Sequence, residues 1–252
     1  MGLARAGLLV LVACSSNKPR TADDATHATP PRGDAPAIDA VAVAPSAKPG
    51  DLQVRVEWRD VPVPMRASPG RTACNTPRAP AVAPTTTWGI PEVVVFVDGA
   101  TIASTSTRIV LADCALAPRL VAATSIVVES AVDRPAKLTF AKRGELATLD
   151  KLDKGSPRPI QLPIAGHAVT APLTPGAIYE LTVARGDAAW IIAAQASVTD
   201  PSGVVLVRDV PPGVHAVRAW LPPRGDQPAR HAHGEVTVVA ADLAELTLQL
   251  AP

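Results

Sequence analysis

The side chains best suited to chemistry are two histidines one residue apart, in His231-Ala232-His233. In an extended segment residues i and i+2 share a face, so the two imidazoles would stand together in a geometry that chelates copper or zinc. A stable site takes three or four ligands, which would have to come from His167 or His215. The competing expectation is an exposed loop after Pro228 with two solvated histidines. Met65, beside Pro62 and Pro64, is expected to fill core space rather than to ligate. Asp150 and Asp153, and Asp242 and Glu245, sit among lysines or in connections. Paired acids do general acid–base work only when held across a cleft, so these four are expected on solvated faces. There is no Gly-rich phosphate loop, no G-x-S-x-G elbow and no H-E-x-x-H pair. Trp58, Trp88, Trp190 and Trp220 have the surface for a sugar platform. In a chain with one tyrosine and two phenylalanines they are expected to anchor cores instead. The chain is therefore expected not to be an enzyme.

Three cysteines carry the remaining chemistry. Arg5 precedes the apolar run 6–13, which ends on Leu11-Val12-Ala13-Cys14. That run is too short to span a bilayer, and a charge, a short apolar stretch and small residues before a cysteine resemble a bacterial lipoprotein signal. The resemblance implies cleavage after residue 13, acylation (palmitate-type chains) at Cys14, and a membrane partner reached through that anchor. Hydrophobicity stops at once in Ser15-Ser16-Asn17-Lys18-Pro19-Arg20. Serine rather than aspartate after the cysteine implies, by the sorting rule of such lipoproteins, an outer-membrane location facing the periplasm or the cell surface. The alternatives are an uncleaved apolar N-terminus or a misplaced start. With Cys14 lipidated, Cys74 and Cys114 are left as an even pair in a compartment where disulfides persist, and a bond between them is expected. It would close a loop of about 40 residues, contributing on the order of 4 kcal/mol in the chain-entropy picture. The other reading, two thiols forming half of a metal site, lacks any C-x-x-C spacing.

The elements that must position these residues read as strands. Twenty-four basic against 23 acidic side chains give no field that favours nucleic acid. Aromatics are 3% and prolines number 27, a mix that disfavours helices. Residues 14–50 are rich in Ala, Pro, Thr, Asp and Ser without apolar periodicity and read as a disordered tether. Order is expected from residue 51, where Leu52, Val54, Val56 and Trp58 alternate with polar residues. About 200 residues remain, enough for one large or two small cores. Strand-like runs recur at 92–97, 107–111, 120–129, 137–141, 178–183, 190–198, 204–208, 214–220, 235–240 and 246–250. Asp98-Gly99, Pro175-Gly176, Arg185-Gly186, Pro201-Ser202-Gly203 and Pro211-Pro212-Gly213 supply turns between them. A short helix over 144–152 is the one helical expectation. The class expected is all-β, an antiparallel β-sandwich over 51–252, as one sandwich or as two packed along the chain.

Two stretches carry family resemblances. The segment Thr199-Asp200-Pro201-Ser202-Gly203 through Asp209-Val210-Pro211-Pro212-Gly213 to Trp220 resembles the signature of carboxypeptidase regulatory-like sandwich repeats. The segment around Cys74, the run 90–99, and Asp113-Cys114-Ala115-Leu116-Ala117-Pro118-Arg119 are similar to periplasmic plastocyanin-like proteins of the methylamine-utilisation type. That resemblance implies a cupredoxin-like sandwich. Copper of that kind needs imidazole, thiolate and often thioether donors. The stretch 129–137, where the first histidine would fall, has none, and 181–190, where a Cys, His and Met cluster would fall, has none of the three. The resemblance therefore implies a degenerate copper site. The function expected is a lipid-anchored, noncatalytic binding or structural module of the cell envelope, with no cofactor and an envelope protein or ligand as partner. The alternative is a copper-handling protein that uses His231 and His233.

Overall fold

Alternation of apolar and polar residues places β1 (Gly50–Glu57) with Leu52, Val54 and Val56 fully buried and their neighbours half-exposed. The computed structural model describes residues 48–68, 70–72, 74–102, 106–149, 151–184, 187–224 and 227–250. The signal at 1–13, lipidation at Cys14, the tether through residue 47, Asp150 and the Arg185-Gly186 turn lie outside the described residues. The tether expected through residue 50 ends sooner, because Gly50 already pairs with Val210 as the first residue of β1. No helix among the described residues is long and apolar enough to cross a membrane.

The protein is all-β. After β1 come a one-turn helix α1 (Val63–Arg66), β2 (Val94–Val97), β3 (Ser106–Ala112), β4 (Ala115–Ala117), β5 (Leu120–Ala122) and β6 (Ser125–Ser130). They are followed by β7 (Ala136–Glu145), β8 (Pro157–Leu162), β9 (Ala168–Pro172), β10 (Ala177–Val183) and β11 (Ala188–Ile192). The last five are β12 (Ser197–Val198), β13 (Val204–Val210), β14 (Gly213–Leu221), β15 (Arg230–Val238) and β16 (Leu243–Gln249). They form four sheets, with strand orders β13-β1-β16, β12-β2-β14-β15, β5-β11-β10-β7-β8 and β4-β3-β6-β9. Most pairings are antiparallel, but β1 with β16, β3 with β6 and β5 with β11 run parallel.

Three apolar cores tie the sheets into layers. Leu52, Val54 and Val56 meet Val95, Val97, Val217 and Ala219 between the first and second sheets. Ile109, Leu111, Ile126 and Val128 meet Leu138, Leu181 and Ile191 between the third and fourth. The other faces of the two middle sheets supply Val94, Phe96 and Trp220 on one side and Leu120, Ile178, Trp190 and Ile192 on the other, which close a third core. Trp190 and Trp220 cross edge to face there at 6.0 Å, a preferred aromatic arrangement. The middle sheets are thus buried on both faces, as the unbroken apolar run of β2 requires. Two sandwiches result, and the second, β3 to β11, is inserted between β2 and β12 of the first.

Four expectations are corrected. The run 120–129 is two strands, β5 and β6, in different sheets, because the chain bends at Thr124, just after the Ala123 N–H makes the last bond to β11 at Ile192 O. The run 190–198 likewise divides into β11 and β12. The helix over 144–152 is the end of β7 followed by a single 3-10 turn, Leu146–Thr148. The loop after Pro228 is instead β15, which begins at Arg230 and pairs along its whole length with β14.

The regulatory-like segment folds for a local reason. Asp200 Oδ1 accepts from Ser202 N at 2.8 Å, Ser202 Oγ at 2.6 Å and Val204 N at 3.1 Å, which forms the turn into β13. Thr199, buried, donates through Oγ1 to Ile90 O at 2.9 Å and accepts from Val93 N at 3.0 Å. Gly203 sits at φ +80°, and a Cβ there would lie 2.4 Å from Ile90 N, so only glycine lets this turn lie on the segment before β2.

Candidate functional site

The residues singled out by type are scattered. His231 and His233 lie on one face of β15, opposite Ala232, which enters the first core. His215, on β14, is buried, with Nδ1 2.7 Å from Asp98 O and Nε2 2.6 Å from Pro211 O. Both ring nitrogens face backbone carbonyls, so neither is open to a metal. His167 is exposed in the connection between β8 and β9. Among the described residues no three His, Cys, Asp or Glu side chains gather as a metal group. Asp153, Asp242 and Glu245 are exposed. Met65 is buried in the first core, as are Trp58 there and Trp190 and Trp220 in the third. Trp88 departs from the core expectation: it sits in a turn at φ +65° and is 39% exposed.

Cys74 and Cys114 are joined by a disulfide, with Cα atoms 5.7 Å apart. Ala112 pairs with Ala115 across the β3–β4 hairpin, leaving Asp113 and Cys114 as a two-residue turn at φ +46° and +64°. Both central residues are left-handed, the type I′ pattern usually filled by Asn-Gly. The bridge therefore anchors the connection before β2 to a hairpin tip of the second sandwich.

Sequence reasoning missed a cluster of arginines where the two sandwiches meet. Glu92, at φ +57°, precedes β2, and its carboxylate receives a fork from Arg119: Nε to Oε1 at 3.2 Å and Nη2 to Oε2 at 2.6 Å. Arg224, from the β14–β15 connection, adds Nη2 to Oε2 at 3.0 Å. Arg119 is steered by its surroundings, since its Nη1 donates to Pro80 O and its own carbonyl accepts from Trp190 N. Arg224 is 8% exposed. Burial pushes its guanidinium down from the usual range, and the charge of Glu92 opposes that displacement.

Arg143 joins them through a backbone irregularity. In the β7–β10 pairing Lys142 opposes Tyr179 and Gly144 opposes Ile178, so Arg143 is the extra residue of a β-bulge. Bulges re-aim side chains, and this one places Arg143 beside Glu180 at 3.4 Å. Arg78, Arg119, Arg143 and Arg224 together line a cavity of about 520 Å³ with Glu180, Asp187, Leu152 and Pro223. An adjoining cavity of about 300 Å³ shares Arg78, Arg119 and Asp187 and reaches Glu92. Arg143 Nε and Arg224 Nε are buried with no acceptor among the described residues. Buried polar groups are ordinarily paired, with protein, water or a ligand, so these donors mark a place for an acceptor. Four arginines against Glu180 and Asp187 make the lining of the larger cavity rich in charge, a setting suited to recognising a charged group.

A cavity of about 610 Å³ beside β7, β8 and β10 is built differently. Phe140 and Tyr179 stack there at 4.8 Å. Its Lys142 and Glu145 pair with each other at 2.9 Å and are both largely exposed, and the Tyr179 hydroxyl accepts from Thr174 N. Its lysine, glutamate and tyrosine are already engaged, whereas the arginine-lined cavity carries buried donors, which makes the latter the stronger site. No family model, no curated protein and no solved structure matches the chain.

Proposed function

We propose that this chain is a noncatalytic binding module of the cell envelope, tethered by acylation at Cys14 at the outer membrane, that holds its ligand in the arginine-lined cleft between its two sandwiches. The observation that carries the reading is the convergence of Arg143 and Arg224, each with a buried Nε–H lacking an acceptor among the described residues, on one cavity of about 520 Å³ whose lining also offers Leu152, Ala81 and Pro223. Ligand sites are concave, largely apolar and oriented by a few convergent polar groups, and this cavity has that makeup. The anchor rests on the sequence alone: Arg5, the short apolar run and Cys14. The degenerate cupredoxin-like and regulatory-like resemblances belong to the same proposal, as scaffolds that bind without redox chemistry.

Two experiments test it. Labelling cells with radioactive palmitate should mark the wild-type chain and leave Cys14→Ala unmarked; an unlabelled wild type refutes the anchor. A thermal-shift screen of metabolites on the purified chain should find ligands that are recovered chemically unchanged after incubation. Conversion of a bound ligand would overturn the noncatalytic reading. The competing copper-handling proposal draws on the shared face of His231 and His233 on β15, and metal uptake decides between the two.

A further inference from the structure

We infer that the ligand of the cleft is a small organic carboxylate with an apolar body, its carboxylate taken by the Arg143 and Arg224 guanidiniums and its body lying against Leu152, Ala81 and Pro223. The inference rests on the binding-module reading above and names the ligand class. Four observations lead to it.

The protein already shows how these arginines treat a carboxylate. Glu92 is held by a two-bond fork from Arg119 and a third bond from Arg224. Planar guanidinium donors match the two oxygens of a carboxylate, and such charge-assisted pairs are the strong ones. Arg119 is fully engaged, with Nε and Nη2 on Glu92 and Nη1 on Pro80 O. Arg224 and Arg143 keep donors in reserve: Arg143 meets Glu180 and Lys154 O through Nη1 alone, and each of the two has a buried Nε–H without an acceptor among the described residues. Donors left in that state favour an anionic acceptor over a neutral one, since desolvation is already in place.

The site is also jointly built. Arg224 comes from the first sandwich, while Arg143, Leu152 and Trp190 come from the second. An anion seated between Arg143 and Arg224 would bridge the two, so occupancy should stabilise the whole protein against heat. The Arg143 bulge matters here: without the extra residue in β7 its side chain would follow the strand alternation. The volume of about 520 Å³ admits a molecule of metabolite size, and Leu152, Ala81 and Pro223 in its lining give an apolar body somewhere to lie.

Isothermal titration of the purified full chain with phenylacetate, phenylacetamide and phenyl phosphate tests the assignment. Phenylacetate is expected to bind with a Kd of about 1 mM or tighter, to weaken as salt is raised, and to raise the melting temperature. The amide, which has the same shape without the charge, is expected to bind about tenfold or more weakly, and Arg143→Gln should weaken phenylacetate by a similar factor. Arg143 is 27% exposed on the surface of the cleft, and melting of R143Q checks that it folds. The amide comparison needs no variant. Equal binding of acid and amide overturns the inference, as does undiminished binding by folded R143Q. Phenyl phosphate bound in place of phenylacetate, and lost in R143Q, overturns the carboxylate class while leaving the module reading standing. Absence of saturable binding by all three probes overturns the inference, and the metabolite screen then decides the module reading separately.

Discussion

Replacing Glu92 with glutamine should destabilise the protein by about 2 kcal/mol, out of proportion to its partly exposed position. Arg224 is 8% exposed and Glu92 is 29% exposed, with 3.0 Å between Nη2 and Oε2. Breaking a fully buried ion pair by removing one partner costs roughly 3–5 kcal/mol, because the surviving charge is left without compensation. Water reaches Glu92, and glutamine retains one oxygen that accepts a hydrogen bond, so the lower figure of about 2 kcal/mol applies. Over a folded region of this size that corresponds to a fall in Tm of about 4–8 °C. The diagnostic step is a double-mutant cycle. Arg224→Met removes the stranded charge, so E92Q/R224M should lose less stability than the two single losses together, with a coupling of about 1 kcal/mol or more. Urea unfolding followed by tryptophan fluorescence supplies all four stabilities. A cost below about 0.5 kcal/mol for E92Q, or strict additivity in the cycle, would refute the claim that Glu92 holds a desolvated arginine at the seam.

Reducing the Cys74–Cys114 bridge, or changing both cysteines to serine, should cost about 4 kcal/mol for a 40-residue separation, measured as the shift of the urea midpoint with and without reductant; no shift would show that the loop is held without it. Gly203→Ala should cost about 3 kcal/mol or more, since it combines a left-handed φ with a Cβ 2.4 Å from Ile90 N, and a near-neutral effect in thermal melts would contradict the close approach of that turn. Asp200→Ala should cost about 1 kcal/mol at neutral pH. The Ser202 hydroxyl, followed by the N–H groups of Val204, Ser202 and Gly203, holds the Asp200 carboxyl below its usual value against the opposing effect of burial. Because the folded pKa is the lower one, this stabilisation is complete above the ordinary aspartate pKa of about 4 and disappears as pH falls through the folded value. Melts across that range should therefore show wild type and variant converging in acid, and a constant gap would contradict the assignment. The chain is expected to take up no stoichiometric copper. Uptake that vanishes in the His231→Ala/His233→Ala double variant would reinstate the copper-handling reading.

Central strands were plain in the sequence because their cause is local. Alternation in β1 and the apolar run of β2 report burial directly, and the residues around Asp200 and Gly203 encode their own turn. The three strands that periodicity did not reveal, β4, β8 and β9, are all sheet edges. Edge strands bury little and accept proline, as Pro157 and Pro159 in β8 illustrate, so their sequences lack the signal. The disulfide followed from the parity of the cysteines and the expected compartment, whereas its place at a left-handed hairpin tip did not.

The sequence by itself pointed to the β class, to the turns at 98–99, 175–176 and 201–203, and to the pairing of Cys74 with Cys114, since the first two depend on residue type at short range and the last on setting Cys14 aside by its expected lipidation. Only the tertiary structure decided that 120–129 and 190–198 each serve two sheets, and that Arg78, Arg119, Arg143 and Arg224 meet in one cleft. An arginine in a sequence ordinarily reads as a solvated surface charge. Whether it becomes a desolvated donor depends on which distant strands pack over it, and here the insertion of one sandwich into another, with a single bulge in β7, brings these four together.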